Sequence, residues 1–143
     1  MEKKFFTSKE AAQITDCSLR QLQYWREKGL IVPSISATGT GRSIYYSPDD
    51  VFELAVMKYL LSVGLSFEVA CSFFTAIRTR YPDYVRSEAK QRFMLNWDDN
   101  LGKLRLDIFD QEEAIAALER GRPIIPVWLD VLNKTLQQRL TKA

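Results

Sequence analysis

Hydrophobic positions in the first part of the chain recur three or four residues apart, which is the spacing of one face of a helix. Ala11, Ala12 and Ile14 predict a first helix that is buried along this face. Thr7 and Glu10 have the spacing of a capping box at its start, with Ser8 as the alternative cap. The first helix is therefore expected to be short and to end near Ile14.

A second helix is predicted after a polar break, with Ser18 as its N-cap. Leu19, Leu22 and Trp25 are spaced to face the first helix. Gly29 supplies the left-handed residue that ends the second helix. Two short helices joined by so brief a turn form a helix-turn-helix, whose second helix fits a DNA major groove.

A segment of glycines and small polar residues follows and predicts a loop. Ser43 to Tyr46 is typical of a short aromatic strand, so the loop and strand are expected to form a hairpin, or wing, beside the helix-turn-helix. The sequence Ser47-Pro48-Asp49-Asp50 predicts the start of a third helix, because it combines a capping serine, a proline at the first helical position and carboxylates near the positive end of the helix dipole.

The third and fourth helices are separated by Gly64, and Ser66 is placed to cap the fourth. Tyr81-Pro82 stops the fourth helix. The positions expected to be buried are Val51, Leu54, Ala55, Tyr59 and either Leu60 or Leu61 in the third helix, and Val69, Ala70, Phe73, Phe74 and Ile77 in the fourth.

The pattern changes after Pro82, and residues 82–91 are expected to form a boundary or linker. Apolar and polar residues then alternate on both sides of the polar turn Asp98-Asp99-Asn100, which predicts a β-hairpin. A helix capped by Asp110, a third strand within Pro123 to Trp128 and a final amphipathic helix follow.

The predicted fold class is therefore α+β. Residues 1–81 are expected to form a winged helix-turn-helix domain of about four helices with a β-wing. Residues 92–143 are expected to form a small β-β-α-β-α domain.

The composition is that of a soluble globular protein, since 46% of the 143 residues are hydrophobic and 27% are charged. A net charge of +2 does not by itself indicate a nucleic-acid binder, so such a role depends on where the charges lie. No N-terminal signal and no span of about 18 apolar residues is found, so we expect a cytoplasmic protein without a membrane partner.

Few residues are suited to metal binding or catalysis. There is no histidine, and Cys17 and Cys71 each lie in an apolar helical pattern, so we expect no metal site and no cofactor. The carboxylate pairs at Asp98-Asp99 and Glu112-Glu113 suit a turn and a helix N-terminus. An enzyme is the function class that the sequence favours least.

The first part of the chain resembles the MerR family of bacterial transcription regulators. The resemblance is carried by FTSKEAAQITDCSLRQLQYWREKGLIVP, followed by YYSPDDV and YLLSVGLSFEVA, and it covers about residues 5–80. It implies a winged helix-turn-helix protein that binds double-stranded DNA as a homodimer, with the second helix in the major groove and the wing along the backbone.

The resemblance also implies which side chains meet DNA. Arg20 and Gln21 would contact base edges or nearby phosphates, because arginine pairs with guanine and glutamine with adenine in the major groove. Tyr24 would donate its hydroxyl to a phosphate, and Lys28 suits the same positioning role. The full set of candidate DNA-binding residues is Ser18, Arg20, Gln21, Gln23, Tyr24, Lys28, Arg42, Ser43 and Tyr45.

Departures from the family pattern affect these expectations. On α2, Gln23 stands where arginine is common and Arg26 where glutamate is common, which affects the base preferences that the family implies. Ile44 stands where many members have an arginine, which leaves Arg42 as the backbone contact of the wing. Members usually continue from the fourth helix into a long dimerisation helix, but Pro82 lies at its expected start and no heptads follow. Dimerisation, or the sensing of a small-molecule or protein effector, is therefore expected in residues 92–143.

The leading hypothesis is a sequence-specific transcriptional regulator that acts as a dimer on an inverted repeat. One alternative is an excisionase-like architectural factor, which would bend DNA cooperatively. Another is an antitoxin-like protein-interaction module, in which DNA binding is secondary. The final helix, with Trp128 at its start, is a candidate dimer interface, and packing onto its own hairpin is the alternative reading.

Overall fold

The computed structural model describes residues 5–36, 44–86 and 90–142. The chain divides into two compact units, one formed by Met1–Cys71 with Lys134–Ala143 and the other by Ser72–Asn133. The described residues form helices and two small antiparallel sheets, which confirms the predicted α+β class. No helix in the described part of the chain is long and apolar enough to cross a membrane.

The first unit contains two strands and two helices before the wing loop, and one strand and two helices after it. In chain order they are β1 (Phe6–Thr7), α1 (Ser8–Thr15), α2 (Leu19–Glu27), β2 (Ile35–Ser36), β3 (Ile44–Tyr46), α3 (Pro48–Ser62) and α4 (Phe67–Arg80), the last of which continues into the second unit. Each of the four predicted helices of this region is thereby confirmed.

Helix α1 begins with the predicted capping box. The Thr7 Oγ1 accepts a hydrogen bond from the Glu10 backbone N–H at 3.1 Å, and the Glu10 carboxylate accepts one from the Thr7 N–H at 2.9 Å. Ala11, Ala12 and Ile14 are buried as predicted. The helix ends at Asp16, whose left-handed backbone (φ 59°) makes the turn toward α2.

Helix α2 is anchored by two of the three residues that were expected to face α1. Leu22 and Trp25 are 1% and 2% exposed, but Leu19 is 54% exposed, so the prediction for Leu19 is wrong. At 3.6 residues per turn, Leu19 lies about 120° around the helix axis from Trp25. A core that packs against α2 from one side therefore buries Trp25 but not Leu19.

The wing strand β3 is the centre of a three-stranded sheet ordered β1-β3-β2. Tyr45 is paired with Thr7 on one side and with Ile35 on the other. The predicted strand at 43–46 is confirmed for Ile44–Tyr46, whereas Ser43 lies outside the described residues. The addition of β1 to the wing was not predicted.

Helix α3 begins at Ser47 and Pro48 as predicted, with Asp50 completing a capping box. It is buried on more sides than expected, since Phe52, Val56 and Met57 are buried besides the predicted Val51, Leu54 and Leu60. Ala55 and Tyr59, which were also expected to be buried, are half-buried. In α4, Ala70, Phe73, Phe74 and Ile77 are buried as predicted, whereas Val69 is half-buried.

The second unit contains the predicted hairpin and third strand. Its elements are β4 (Arg92–Asp98), β5 (Lys103–Ile108), α5 (Gln111–Glu119), β6 (Ile124–Trp128) and the start of α6 (Leu129–Lys142). The antiparallel sheet is ordered β5-β4-β6, and α5 contacts β4 and β6 while burying Ala114 and Ala117. Consecutive residues of β4 from Phe93 to Asn96 are buried, so both faces of the central strand are covered.

Candidate nucleic-acid interface

The outward side of α2 carries a stripe of basic and aromatic residues. Arg20, Tyr24 and Lys28 follow one another at intervals of four, so they share one side of the helix, and all three are exposed. Among the described residues, none pairs with the Arg20 guanidinium. This stripe is called the basic stripe below.

The Tyr24 ring at the middle of the basic stripe is held from two sides. The Lys28 Nζ lies 5.5 Å from the ring centroid, and the Phe67 ring at the start of α4 packs against it with centroids 5.2 Å apart and a 60° tilt. Tyr24 nevertheless remains 43% exposed. Phe67 was not among the predicted site residues, because its contact with Tyr24 spans more than forty positions of sequence.

Ser18 and Gln21 fix the first turn of α2. The Gln21 N–H donates to the Ser18 Oγ at 3.0 Å, and the Ser18 N–H donates to the Gln21 Oε1 at 3.0 Å. A bidentate pair with adenine uses both the oxygen and the nitrogen of a glutamine amide, so Gln21 would have to leave this cap to make one. In the capped state, the Ser18 hydroxyl and the Gln21 amide N–H₂ are left as hydrogen-bond donors.

A second exposed stripe runs beside the basic stripe and consists of Leu19, Gln23 and Glu27. The Gln23 Nε2 donates to the Glu27 Oε1 at 2.9 Å. This bond lies along the helix surface between positions i and i+4, where such pairs favour the helix. The Gln23 Oε1 accepts no hydrogen bond from any residue that the structure describes.

The base of the wing is tied to α3 by one carboxylate. The Asp50 Oδ2 accepts from the Ser34 N–H at 2.8 Å, from the Ser34 hydroxyl at 2.6 Å and from the Ser47 N–H at 2.8 Å. Charge-assisted bonds of this kind are about twice as strong as neutral ones. The Asp50 carboxylate therefore fixes where the wing leaves and rejoins the helices.

Neighbouring tyrosines of β3 point to opposite sides, as the period of a strand requires. Tyr45 is 38% exposed, whereas Tyr46 is buried. Burial raises the pKa of Tyr46, and the neighbouring Arg26 guanidinium offsets part of this rise. Arg42 and Ser43, the other predicted wing contacts, lie outside the described residues.

The predicted site residues thus fall into two described groups. Six of them, Ser18, Arg20, Gln21, Gln23, Tyr24 and Lys28, lie on α2 or at its caps. Tyr45 lies on the wing strand. The exposure of Leu19 beside them was missed, because helix periodicity alone placed it with the buried residues.

Comparison with known proteins identifies this arrangement. Residues 6–73 match the family described as MerR HTH family regulatory protein. Residues 6–73 are thus similar to the MerR helix-turn-helix family. This MerR-type region spans all the elements from β1 to the middle of α4.

Individual relatives agree with the family. Over 57 residues the chain is 46% identical to proteins named as uncharacterized HTH-type transcriptional regulators, one from Mycobacterium bovis and two from strains of Mycobacterium tuberculosis. Each match covers 39% of this chain and 25% of the relative. The similarity therefore concerns about a quarter of the length of these relatives.

Proposed function

We propose that the chain is a sequence-specific DNA-binding transcriptional regulator whose helix α2 enters the major groove. The observation that carries the proposal is the basic stripe of Arg20, Tyr24 and Lys28, exposed on the second helix of a MerR-type helix-turn-helix. Leu22 and Trp25 anchor the opposite side of this helix in the core. The outward side is thus held in place from behind, and the Phe67 ring supports Tyr24 while leaving it 43% exposed.

The three side chains of the basic stripe have different chemical uses. The Arg20 guanidinium presents the planar fork that fits the O6 and N7 atoms of guanine. Lys28 carries a point charge suited to phosphate, and Tyr24 offers one hydroxyl donor to the same backbone. In this proposal Arg20 reads sequence, while Tyr24 and Lys28 set the register of α2 on the duplex.

We further propose that the regulator binds an inverted repeat as a symmetric dimer. One small helix-turn-helix buries little surface on DNA, and a second copy doubles both the phosphate contacts and the base contacts. The DNA-binding domain is assigned to residues 1–81, with Tyr45, Ser43 and Arg42 of the wing along the backbone. Residues 92–143 are assigned to dimerisation or to an effector.

The burial of the leucines on α6 bears on whether this helix can form the dimer interface. Leu129 and Leu136 of its leucine stripe are buried within the single chain, and Leu132 and Leu140 are half-buried. This favours packing within the chain as the role of those leucines. In the second unit, Ile115 and Leu118 of α5 are instead exposed.

Selection of bound fragments from random DNA duplexes tests the proposal. We expect a recovered motif with two inverted half-sites, and binding that weakens steeply as salt increases, because phosphate contacts release counterions. Lys28→Ala should lower the salt slope by about 1 per protomer, whereas Lys103→Ala, at an exposed position of β5, should not. Failure to enrich any duplex at moderate salt would refute DNA binding by this chain.

A further inference from the structure

Leu19 is an exposed leucine at an unusual place. It is the first residue of α2, directly before Arg20, and 54% of its surface is accessible. Single exposed leucines are common on protein surfaces and need no explanation by themselves. In helix-turn-helix proteins, however, the N-terminal residues of the second helix are those that contact base edges.

The position of Leu19 is fixed by its neighbours. The reciprocal bonds between Ser18 and Gln21 close the first turn around it, at 3.0 Å each. Leu19 belongs to the stripe that continues through Gln23 and Glu27, next to the basic stripe. An apolar side chain is therefore exposed on the first turn of α2, one position before Arg20.

The chemistry of the major groove selects one partner for such a side chain. Guanine, cytosine and adenine expose hydrogen-bond donors or acceptors there, and only thymine adds an apolar group, its C5-methyl. A leucine that covers a donor or acceptor leaves it unsatisfied and loses binding energy. A leucine that covers the thymine methyl buries two apolar surfaces instead.

We infer that Leu19 is a specificity-determining residue that reads the C5-methyl group of a thymine next to the base contacted by Arg20. The inference rests on the proposed function, since it requires α2 to lie in the major groove. It adds a second kind of readout to that proposal: a hydrogen-bonding contact from Arg20 and an apolar contact from Leu19 on adjacent base pairs.

The test removes the methyl group without altering base pairing. Each thymine of the selected duplex is replaced in turn by deoxyuridine, and the Kd of the full chain is measured. We expect one thymine in each half-site at which loss of the methyl group weakens binding. The Kd should rise about fourfold per half-site, which corresponds to the free energy of burying one methylene-sized group. With Leu19→Ala, thymine and deoxyuridine duplexes should bind equally at that position.

Val63→Ala is the control, because Val63 is also an exposed apolar residue at a helix end, the C-cap of α3, outside the region assigned to dimerisation. It should leave the ratio between thymine and deoxyuridine duplexes unchanged. Circular dichroism would establish that both variants keep the helical content of the parent.

The outcomes separate this inference from the proposed function. If Leu19→Ala keeps the preference of the parent chain for thymine, or if no thymine methyl matters, the inference is wrong. Selection of a duplex, and the weaker and less selective binding of Arg20→Ala, would still support DNA binding in that case. If no duplex is selected at all, both are wrong.

Discussion

Arg20 is the residue on which base readout depends in the proposed complex. Arg20→Ala should cost about 1–3 kcal/mol in binding free energy and relax the preference at one base pair of each half-site, because a bidentate pair with guanine is lost. Competition binding against duplexes with each base at that position measures both effects. An affinity loss of equal size for every sequence would instead place Arg20 on a phosphate.

Tyr24 should behave differently, since its hydroxyl is proposed to meet a phosphate. Tyr24→Phe keeps the ring that packs against Phe67 and removes only the hydroxyl. We expect binding to weaken by about 1.5–3 kcal/mol for all sequences alike, the range for a hydrogen bond to a charged group. Tyr81→Phe, at a half-buried tyrosine of the second unit, is the control and should leave the Kd unchanged.

Asp98, in the turn between β4 and β5, makes the stability of the protein depend on pH. Hydrogen bonding by the Leu101 N–H, together with the bonds from Arg105 and from the Asn100 N–H, holds the pKa of Asp98 below its ordinary value of 3.8. The Asp98 Oδ1 accepts from Leu101 at 3.0 Å and from Asn100 at 2.9 Å. The unfolded chain thus takes up a proton at this site before the folded chain does.

The stabilisation from Asp98 is therefore fully present above a pH of about 3.8 and is lost as the pH falls through the lower folded value. Asp98→Asn should be less stable than the parent at neutral pH, and the difference should shrink in acid. Urea unfolding at a series of pH values measures it. A stability difference that stays constant down to pH 2 would contradict this account.

At the scale of elements, Gly29 sets the direction in which the chain leaves α2. Its φ is +70°, and a Cβ added there would meet no atom within 4 Å, so a side chain is opposed by backbone strain alone. Gly29→Ala should lower the free energy of unfolding by about 1–2 kcal/mol. Gly29→Asn should lower the free energy of unfolding by a smaller amount, because asparagine tolerates the left-handed region.

Thermal or urea unfolding of the two Gly29 variants gives the comparison directly. Equal stability of the alanine variant and the parent would show that the turn adopts another backbone conformation. Since the same turn orients α2, we also expect Gly29→Ala to bind DNA more weakly than Gly29→Asn.

The helices were more predictable than the strands. The capping boxes at Thr7, Ser18 and Ser47 use residues three positions apart, so their signals are contained in a short stretch of sequence. The strand β1 has two residues, and its pairing with β3 joins Phe6 to Tyr46. No local pattern marks a pairing across that distance.

At the scale of the whole molecule, the proposed dimer predicts how affinity depends on the DNA site. Two half-sites in inverted orientation should bind far more tightly than one, and light scattering of the complex on the full site should give the mass of the duplex plus that of two 143-residue chains. Direct repeats at the same spacing serve as the control. A single chain on the complete site would rule out the dimer.

Local chemistry was enough to predict the helix starts and ends and the β4–β5 hairpin. These features depend on residues a few positions apart, whose capping, turn and alternation preferences act before any distant contact forms. The exposure of Leu19, the packing of Phe67 on Tyr24 and the bonds from Ser34 to Asp50 arose only on folding. Each depends on groups distant in sequence, or on the direction from which the core covers a helix, and spacing along the chain encodes neither.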